Sequence, residues 1–222
     1  MVLSRTEVYT GFLAESAEFE ELLRSLDDDE WTANTRCEGW AVKDAAGHVA
    51  GTLSAVAAGR FAEFTEDGHV EAQIAHRATW SAKEVADEYA ESAKKVNALL
   101  AALDDAGWEA PLGGVAPTIG AGMETLWFDT YVHAEDIRTA LGRPTERGAG
   151  LRASVSHLSS MLSLQKWGPA TIELDGIEPF EVSGKYDEPK HVTGDPLKFV
   201  LAATGRLDAE EIGQDRKINV YR

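Results

Sequence analysis

The sequence is poor in cysteine and in long apolar runs. Its 222 residues include one cysteine, Cys37, so a framework of internal disulfides is excluded, as is usual in a reducing compartment. No apolar run approaches the roughly 18 residues that a membrane-spanning helix needs. The first residues also lack the basic start and apolar centre of a signal peptide. We therefore expect a cytoplasmic protein with no membrane partner.

Basic residues are also scarce. The chain has 21 lysines and arginines against 38 aspartates and glutamates, which gives a formal net charge of −17. A nucleic-acid partner requires a basic face for the phosphates, and here the lysines and arginines are scattered along the chain. We therefore expect no nucleic-acid partner, and we attribute the excess acid to solubility.

The first two thirds of the chain have the pattern of long helices. Ser4 with Glu7, and Ser81 with Glu84, have the spacing of a capping box, and each pair precedes apolar residues at helical intervals. Two further helices are expected over residues 42–64 and 122–141. Four helices of this length, joined by modest loops, favour a helical bundle.

The pattern changes after residue 146. A fifth helix is followed by short alternating segments that are typical of strands, and Asp195-Pro196 marks the start of a last helix. The expected elements are a helix over 149–166, strands over 171–176 and 180–184, a helix over 197–203 and a closing strand over 217–221. We therefore predict an α+β protein with two domains, a helical bundle over residues 1–146 and a small α/β domain over residues 147–222.

Three residues form the main candidate site: His48, Asp129 and His133. Asp129 and His133 are four positions apart, so on a helix they share one face. His48 lies in the middle of a predicted helix whose small residues allow a neighbouring element to approach closely. If the two helices are adjacent, two imidazoles and one carboxylate converge. Three protein ligands with a fourth position left open are typical of a catalytic zinc site.

The residues alone leave this interpretation open. A histidine within a helix is more often a packed core residue, and an aspartate–histidine pair at this spacing also occurs on helix surfaces. The surroundings favour a buried helix, where a carboxylate needs a partner or a metal. The apolar residues that indicate burial are Leu126, Trp127, Phe128, Val132 and Ile137.

Other reactive side chains rank lower. We expect Cys37 to be a structural thiol, because a nucleophilic cysteine needs a neighbouring base or cation. Asp136 lies one turn after His133, where it either orients the imidazole or is an exposed acid. His69 and His76 fall in a polar connection and are expected to face solvent.

Three segments resemble the mycothiol-dependent maleylpyruvate isomerase family, which belongs to the wider DinB-like group of metal-binding four-helix bundles. The first segment is Thr-Arg-Cys-Glu-Gly-Trp-Ala-Val-Lys-Asp-Ala-Ala-Gly-His over residues 35–48. The second, over residues 129–144, contains Asp129 and His133, and the third, over residues 192–206, resembles the core of the family's small C-terminal domain.

This resemblance implies both a metal site and a mechanism. It makes His48, Asp129 and His133 the ligands of a divalent metal, with zinc the expected ion and mycothiol the thiol cosubstrate. A metal-bound thiol is deprotonated at neutral pH. The thiolate would add to the cis double bond of an unsaturated keto acid, allow rotation and leave again, or it would be transferred to another small-molecule electrophile.

The resemblance also suggests a substrate-binding residue. In the resembling isomerases an arginine of the C-terminal domain holds the substrate near the metal, and Arg206 is the position that matches it best. A guanidinium presents a planar fork suited to the carboxylate of a keto acid. The alternative is a surface arginine that balances Asp208, Glu210 or Glu211.

Two positions depart from the family's pattern. Asp129 stands where glutamate is usual, which implies a closer approach of the helices, a different metal or weak binding. Ala41 stands where a capping threonine is usual, and its side chain cannot cap the helix.

Two other functions remain as alternatives to an isomerase or S-transferase. One is a metal-dependent hydrolase with Glu124 or Asp136 as general base, because two imidazoles, a carboxylate and a bound water also suit hydrolysis. The other is a non-catalytic bundle that binds a metal or ligand. An oligomer is compatible with all of these functions.

Overall fold

The computed structural model describes residues 3–185 and 188–221. They form two compact units, one over Ser4–Thr145 and a second that begins at Glu146. Most of the described chain is helical, and the second unit contains a small three-stranded sheet. Among the helices described, none has the length and apolar character that crossing a membrane requires.

Four long helices form the bundle of the first unit. Its α-helices are α1 (Arg5–Arg24), α2 (Asp28–Trp31), α3 (Val42–Ala57), α4 (His69–Arg77), α5 (Ala82–Ala102), α6 (Asp105–Trp108) and α7 (Ile119–Ala140). Both α1 and α3 pack against α5 and α7. The core between them contains fully buried aromatic and aliphatic side chains, such as Phe12, Phe19 and Leu53. The predicted four-helix bundle is confirmed.

Helix starts follow the capping residues. The backbone N–H of Glu7 donates to Ser4 Oγ, and the backbone N–H of Ser4 donates to Glu7 Oε2, so the predicted capping box of α1 is present. Ser81 and Glu84 form the same box at the start of α5. At the start of α3 only one of the two capping-box bonds forms. The backbone N–H of Ala41 donates to Asp44 Oδ2, but the alanine side chain offers no acceptor in return.

The second predicted helix was too long. It ends at Ala57 rather than at residue 64, and Gly59 follows with a φ of +68°, a backbone conformation that suits glycine. A short 3₁₀ helix over Phe61–Thr65 comes next.

The expected polar connection after this turn contains a helix, α4. Its buried residues are Gln73 and Arg77, so its inward face is polar. Its large apolar side chains are Val70 and Ile74, both half-buried, and two such residues are too few for hydrophobic periodicity to indicate a helix. His76 is exposed as expected, whereas His69 is half-buried.

The second unit places helices beside the sheet. Its main elements are α8 (Ala149–Leu164), β1 (Trp167–Leu174), β2 (Phe180–Gly184), β3 (Lys190–Gly194) and α9 (Pro196–Ala203). The strand order is β2-β1-β3, with β2 antiparallel and β3 parallel to β1. Helix α8 packs against β1, β2 and α9. As predicted, Asp195 caps the start of α9, and its carboxylate accepts the backbone N–H groups of Leu197 and Lys198.

One expected strand of this unit is wrong, and one observed strand was not expected. The closing strand over residues 217–221 does not form, and Arg216–Ile218 is a 3₁₀ turn. Its alternation arises because Ile218 and Val220 both face the core, while the Val220 N–H bonds the end of α9 at Ala203 instead of a strand. Strand β3 was not predicted.

Candidate metal centre

Helices α3 and α7 bring the three predicted ligands together. His48 Nε2 lies 3.4 Å from Asp129 Oδ1, and His133 Nε2 lies 3.7 Å from the same oxygen. The potential ligand atoms of all three residues are within 4.8 Å of one another. Both histidines are buried and Asp129 is half-buried, so the cluster lies at the edge of the bundle interior.

A second polar group holds each imidazole through its other nitrogen. Gln73 Oε1 lies 2.9 Å from His48 Nδ1, and Asp136 Oδ2 lies 3.1 Å from His133 Nδ1. An oxygen acceptor at Nδ1 keeps the proton on that nitrogen. In that tautomer Nε2 of each ring carries a lone pair on the side of Asp129.

The donor set suits a divalent cation. Two imidazole lone pairs and a carboxylate oxygen are all hydrogen-bond acceptors, and acceptors packed together in a largely buried place need a cation or a proton between them. Nitrogen and oxygen ligands in this combination match the preferences of zinc. The side chains of His48, Asp129 and His133 therefore fit the metal that the family resemblance implies.

The small residues of α3 explain how His48 gains its partner. A Cβ atom at Gly51 would lie 2.8 Å from Cβ and Cγ of Gln73, so glycine allows α4 to lie directly against α3. Arg77 fixes α4 in this place: it donates to the backbone oxygen of Gln73 and forms a two-pronged ion pair with Glu88. The sequence indicated a close neighbour here, but it gave no sign that the neighbour is Gln73.

The loop before α3 contacts the partner of His133. Asp136 is fully buried, with Arg36 Nε 3.2 Å from its Oδ1 and Cys37 Sγ 3.1 Å from its Oδ2. Of the two interpretations of Asp136, its burial beside His133 agrees with the orienting role and not with an exposed acid. The half-buried thiol of Cys37 donates to a carboxylate, which is consistent with a structural cysteine.

Trp40 covers both imidazoles. Its ring centroid lies 5.5 Å from that of His133 at an interplanar angle of 21°, and 5.5 Å from that of His48 at 59°. This half-buried indole forms an apolar wall of the site. Sequence reasoning did not assign it a role, although it lies in the first family-like segment.

Arg206 belongs to the second unit. It follows the end of α9, and its backbone N–H donates to Leu201 O. Its half-buried side chain lines a surface cavity of about 550 Å³, together with Arg216, Lys217 and Asn219. Its role in substrate binding stays a prediction.

Comparisons with known proteins agree with this architecture. Residues 12–138, more than half of the chain, match the family model of the mycothiol maleylpyruvate isomerase N-terminal domain. The crystal structure of the mycothiol-dependent maleylpyruvate isomerase is similar, with a TM-score of 0.68 and 18% sequence identity over 93% of this chain and 91% of that chain. A mutant of that isomerase gives a TM-score of 0.64 at 18% identity, over 92% of this chain and 90% of that chain.

No curated protein matches the sequence. At 18% identity the structural likeness establishes the fold, which confirms the predicted bundle followed by a small mixed domain. The family model includes His48, Asp129 and His133 within its matched range. The chain therefore belongs to the family of the mycothiol maleylpyruvate isomerase N-terminal domain.

Proposed function

We propose that this protein is a metal- and thiol-dependent enzyme of the maleylpyruvate isomerase type. It would isomerise an unsaturated keto acid or transfer the thiol to another small electrophile. The observation that carries the proposal is the convergence of His48 Nε2, His133 Nε2 and Asp129 Oδ1 within the matched family domain. The family relationship supports mycothiol as the thiol.

His48, Asp129 and His133 would hold the metal, for which we propose zinc. Three protein ligands leave one position of a tetrahedral site for an exogenous group. When bound, the metal would lower the pKa of a coordinated thiol and so supply the nucleophile that isomerisation of a cis double bond requires.

Residues of the first unit prepare the metal site in two ways. Gln73 and Asp136 hold the protons of the two imidazoles on Nδ1, which keeps both Nε2 atoms available as ligands. Trp40 shields the ring faces from water. In the second unit, we propose Arg206 as the residue that binds the carboxylate of a keto acid, through its planar guanidinium.

A hydrolase is less well supported. Water activation needs a free general base near the metal. Asp136 is fully buried and already contacts His133, Arg36 and Cys37, so it is not free to take a proton. That leaves the hydrolase alternative with Glu124 as its candidate base.

The experiment that tests this proposal is an assay of the zinc-loaded protein with maleylpyruvate, with and without mycothiol. We expect isomerisation only when zinc and the thiol are both present. His133→Ala is the control: it should lose most of the metal and the turnover, with helix content by circular dichroism nearly unchanged. Thiol-independent turnover, or full turnover in the control, would contradict the proposal, and a product with water added would favour the hydrolase.

A further inference from the structure

We infer that Asp136 sets the metal affinity of the candidate centre by acting through His133 as a positioning residue. The inference rests on the proposed function to the extent that the centre must bind a metal. Its basis is a difference between the two imidazoles: a carboxylate contacts Nδ1 of His133, whereas a neutral amide contacts Nδ1 of His48.

This difference makes the two rings unequal ligands. A carboxylate that accepts the Nδ1 proton draws positive charge onto that side of the ring and strengthens the lone pair on Nε2. An amide oxygen does the same more weakly, because it has no formal charge. His133 is therefore the stronger donor of the pair, and its strength depends on Asp136.

The burial of Asp136 increases this effect. The side chain is completely inaccessible to solvent, so its charge is little screened by water. Arg36 lies against the other carboxylate oxygen, with its Nε 3.2 Å from Oδ1, and offsets the negative charge there. Oδ2, the oxygen on the side of His133, also receives the Cys37 thiol, a weak donor that competes little.

Asp136 has a second, structural role that the test must separate from the first. Through Arg36 it helps to anchor the loop before α3, and Arg36 also donates to the backbone oxygen of Glu135 and to Thr139 Oγ1. Loss of Asp136 could therefore act on the loop or on the imidazole. Arg36 pairs with Oδ1 of the carboxylate whereas His133 pairs with Oδ2, which allows the two routes to be tested separately.

The principal variant is Asp136→Asn, which gives His133 the same kind of partner that His48 has. We expect zinc affinity, measured by competition with a chelator, to fall 10- to 100-fold, and the visible spectrum of the cobalt-loaded protein to change. Glu135→Gln is the matched control, because Glu135 is also buried on α7 and pairs with Arg138 at 2.9 Å. It should leave zinc affinity within about twofold of the parent's.

Arg36→Lys separates the loop from the ring, because it keeps a cation beside Asp136 but loses the guanidinium bonds to Glu135 O and Thr139 Oγ1 that anchor the loop. If Asp136 acts through His133, zinc affinity stays within about twofold of the parent's. Weakening as large as that of Asp136→Asn would assign the effect to the loop and overturn the inference, as would an Asp136→Asn protein with the parent's affinity.

A reciprocal variant keeps the inference testable if Asp136→Asn does not fold. Gln73→Glu gives His48 a carboxylate partner, and it should raise zinc affinity several-fold in the same assay. Unchanged or weaker binding would contradict the inference. A parent protein that binds neither zinc nor cobalt would overturn the proposed function as well, whereas normal binding with insensitive variants would overturn only the role of Asp136.

Discussion

The indole Nε1–H of Trp127 donates to Glu15 Oε2 across 3.4 Å, between α1 and α7 in the interior of the bundle. Glu15 is 6% exposed, and burial raises its pKa to about 7. The neighbouring Glu18 and Glu135 raise the pKa further, while Arg138 and the Trp127 hydrogen bond lower it. Glu15 is therefore a carboxyl group that the fold prefers to keep protonated.

Glu15→Gln is predicted to stabilise the protein above neutral pH. The pKa of Glu15 is higher in the folded chain than its ordinary value of 4.5, so folding favours the protonated form. The folded protein consequently loses stability as the pH rises from about 4.5 to about 7. The variant removes this loss and should gain on the order of 2–3 kcal/mol at pH 8, with little gain at pH 4.5. Urea unfolding at both pH values measures the difference.

Glu21→Gln is the control for this prediction, since Glu21 is an exposed carboxylate on the same helix. Its stability should change by less than about 0.5 kcal/mol at either pH. A gain for Glu15→Gln that does not depend on pH would contradict the buried-carboxyl interpretation.

Asp129→Glu is predicted not to strengthen metal binding. Two ligand atoms of a tetrahedral zinc ion lie about 3.3–3.5 Å apart, and Asp129 Oδ1 already lies 3.4 Å and 3.7 Å from the two imidazole nitrogens. The backbone at this position is therefore suited to the shorter side chain. Chelator competition should give equal or lower zinc affinity for the glutamate variant, and clearly tighter binding would show that aspartate limits the site.

Cys37→Ser is predicted to retain thiol-dependent activity within about twofold. The Cys37 thiol donates to Asp136, a contact that a serine hydroxyl can replace, and the proposed nucleophile is the added thiol. Turnover with mycothiol and metal content are the two measurements. Loss of turnover in a folded, metal-loaded variant would indicate that Cys37, and not the added thiol, is the nucleophile.

Arg206→Lys is predicted to lower turnover of a carboxylate substrate at least tenfold without changing metal content. The lysine keeps the positive charge but loses the two-pronged fork of the guanidinium. Arg216→Lys is the control, because Arg216 is exposed and lines the same surface cavity. Parent-like kinetics for Arg206→Lys would contradict a role in substrate binding and support the alternative, a surface arginine that balances nearby acids.

The sequence contains the information for the long helices and for the spacing of the ligands. Capping boxes such as Ser4 with Glu7 act locally, and the i, i+4 spacing places Asp129 and His133 on one helix face whatever the rest of the fold does. These features depend on residues within one turn of each other. For that reason they can be predicted without a structure.

The partners of the imidazoles depend on long-range packing instead. Gln73 contacts His48 across 25 positions, from a nine-residue helix with too few large apolar side chains for hydrophobic periodicity to indicate it. The contacts of Asp136 with Arg36 and Cys37 span about a hundred residues. The predicted strand over residues 217–221 was wrong for a related reason. The alternate burial of Ile218 and Val220 resembles that of a strand, although the described residues there pair with no sheet.

The central claim is that His48, Asp129 and His133 hold a metal that accepts an added thiol. Titration of the cobalt-loaded protein with mycothiol tests it most directly, because thiolate coordination to cobalt produces an intense charge-transfer absorption in the near ultraviolet. The account predicts that this band appears and saturates at one thiol per metal, in the parent and in Cys37→Ser, and is absent from His133→Ala. A cobalt-loaded parent whose spectrum does not respond to mycothiol would contradict it.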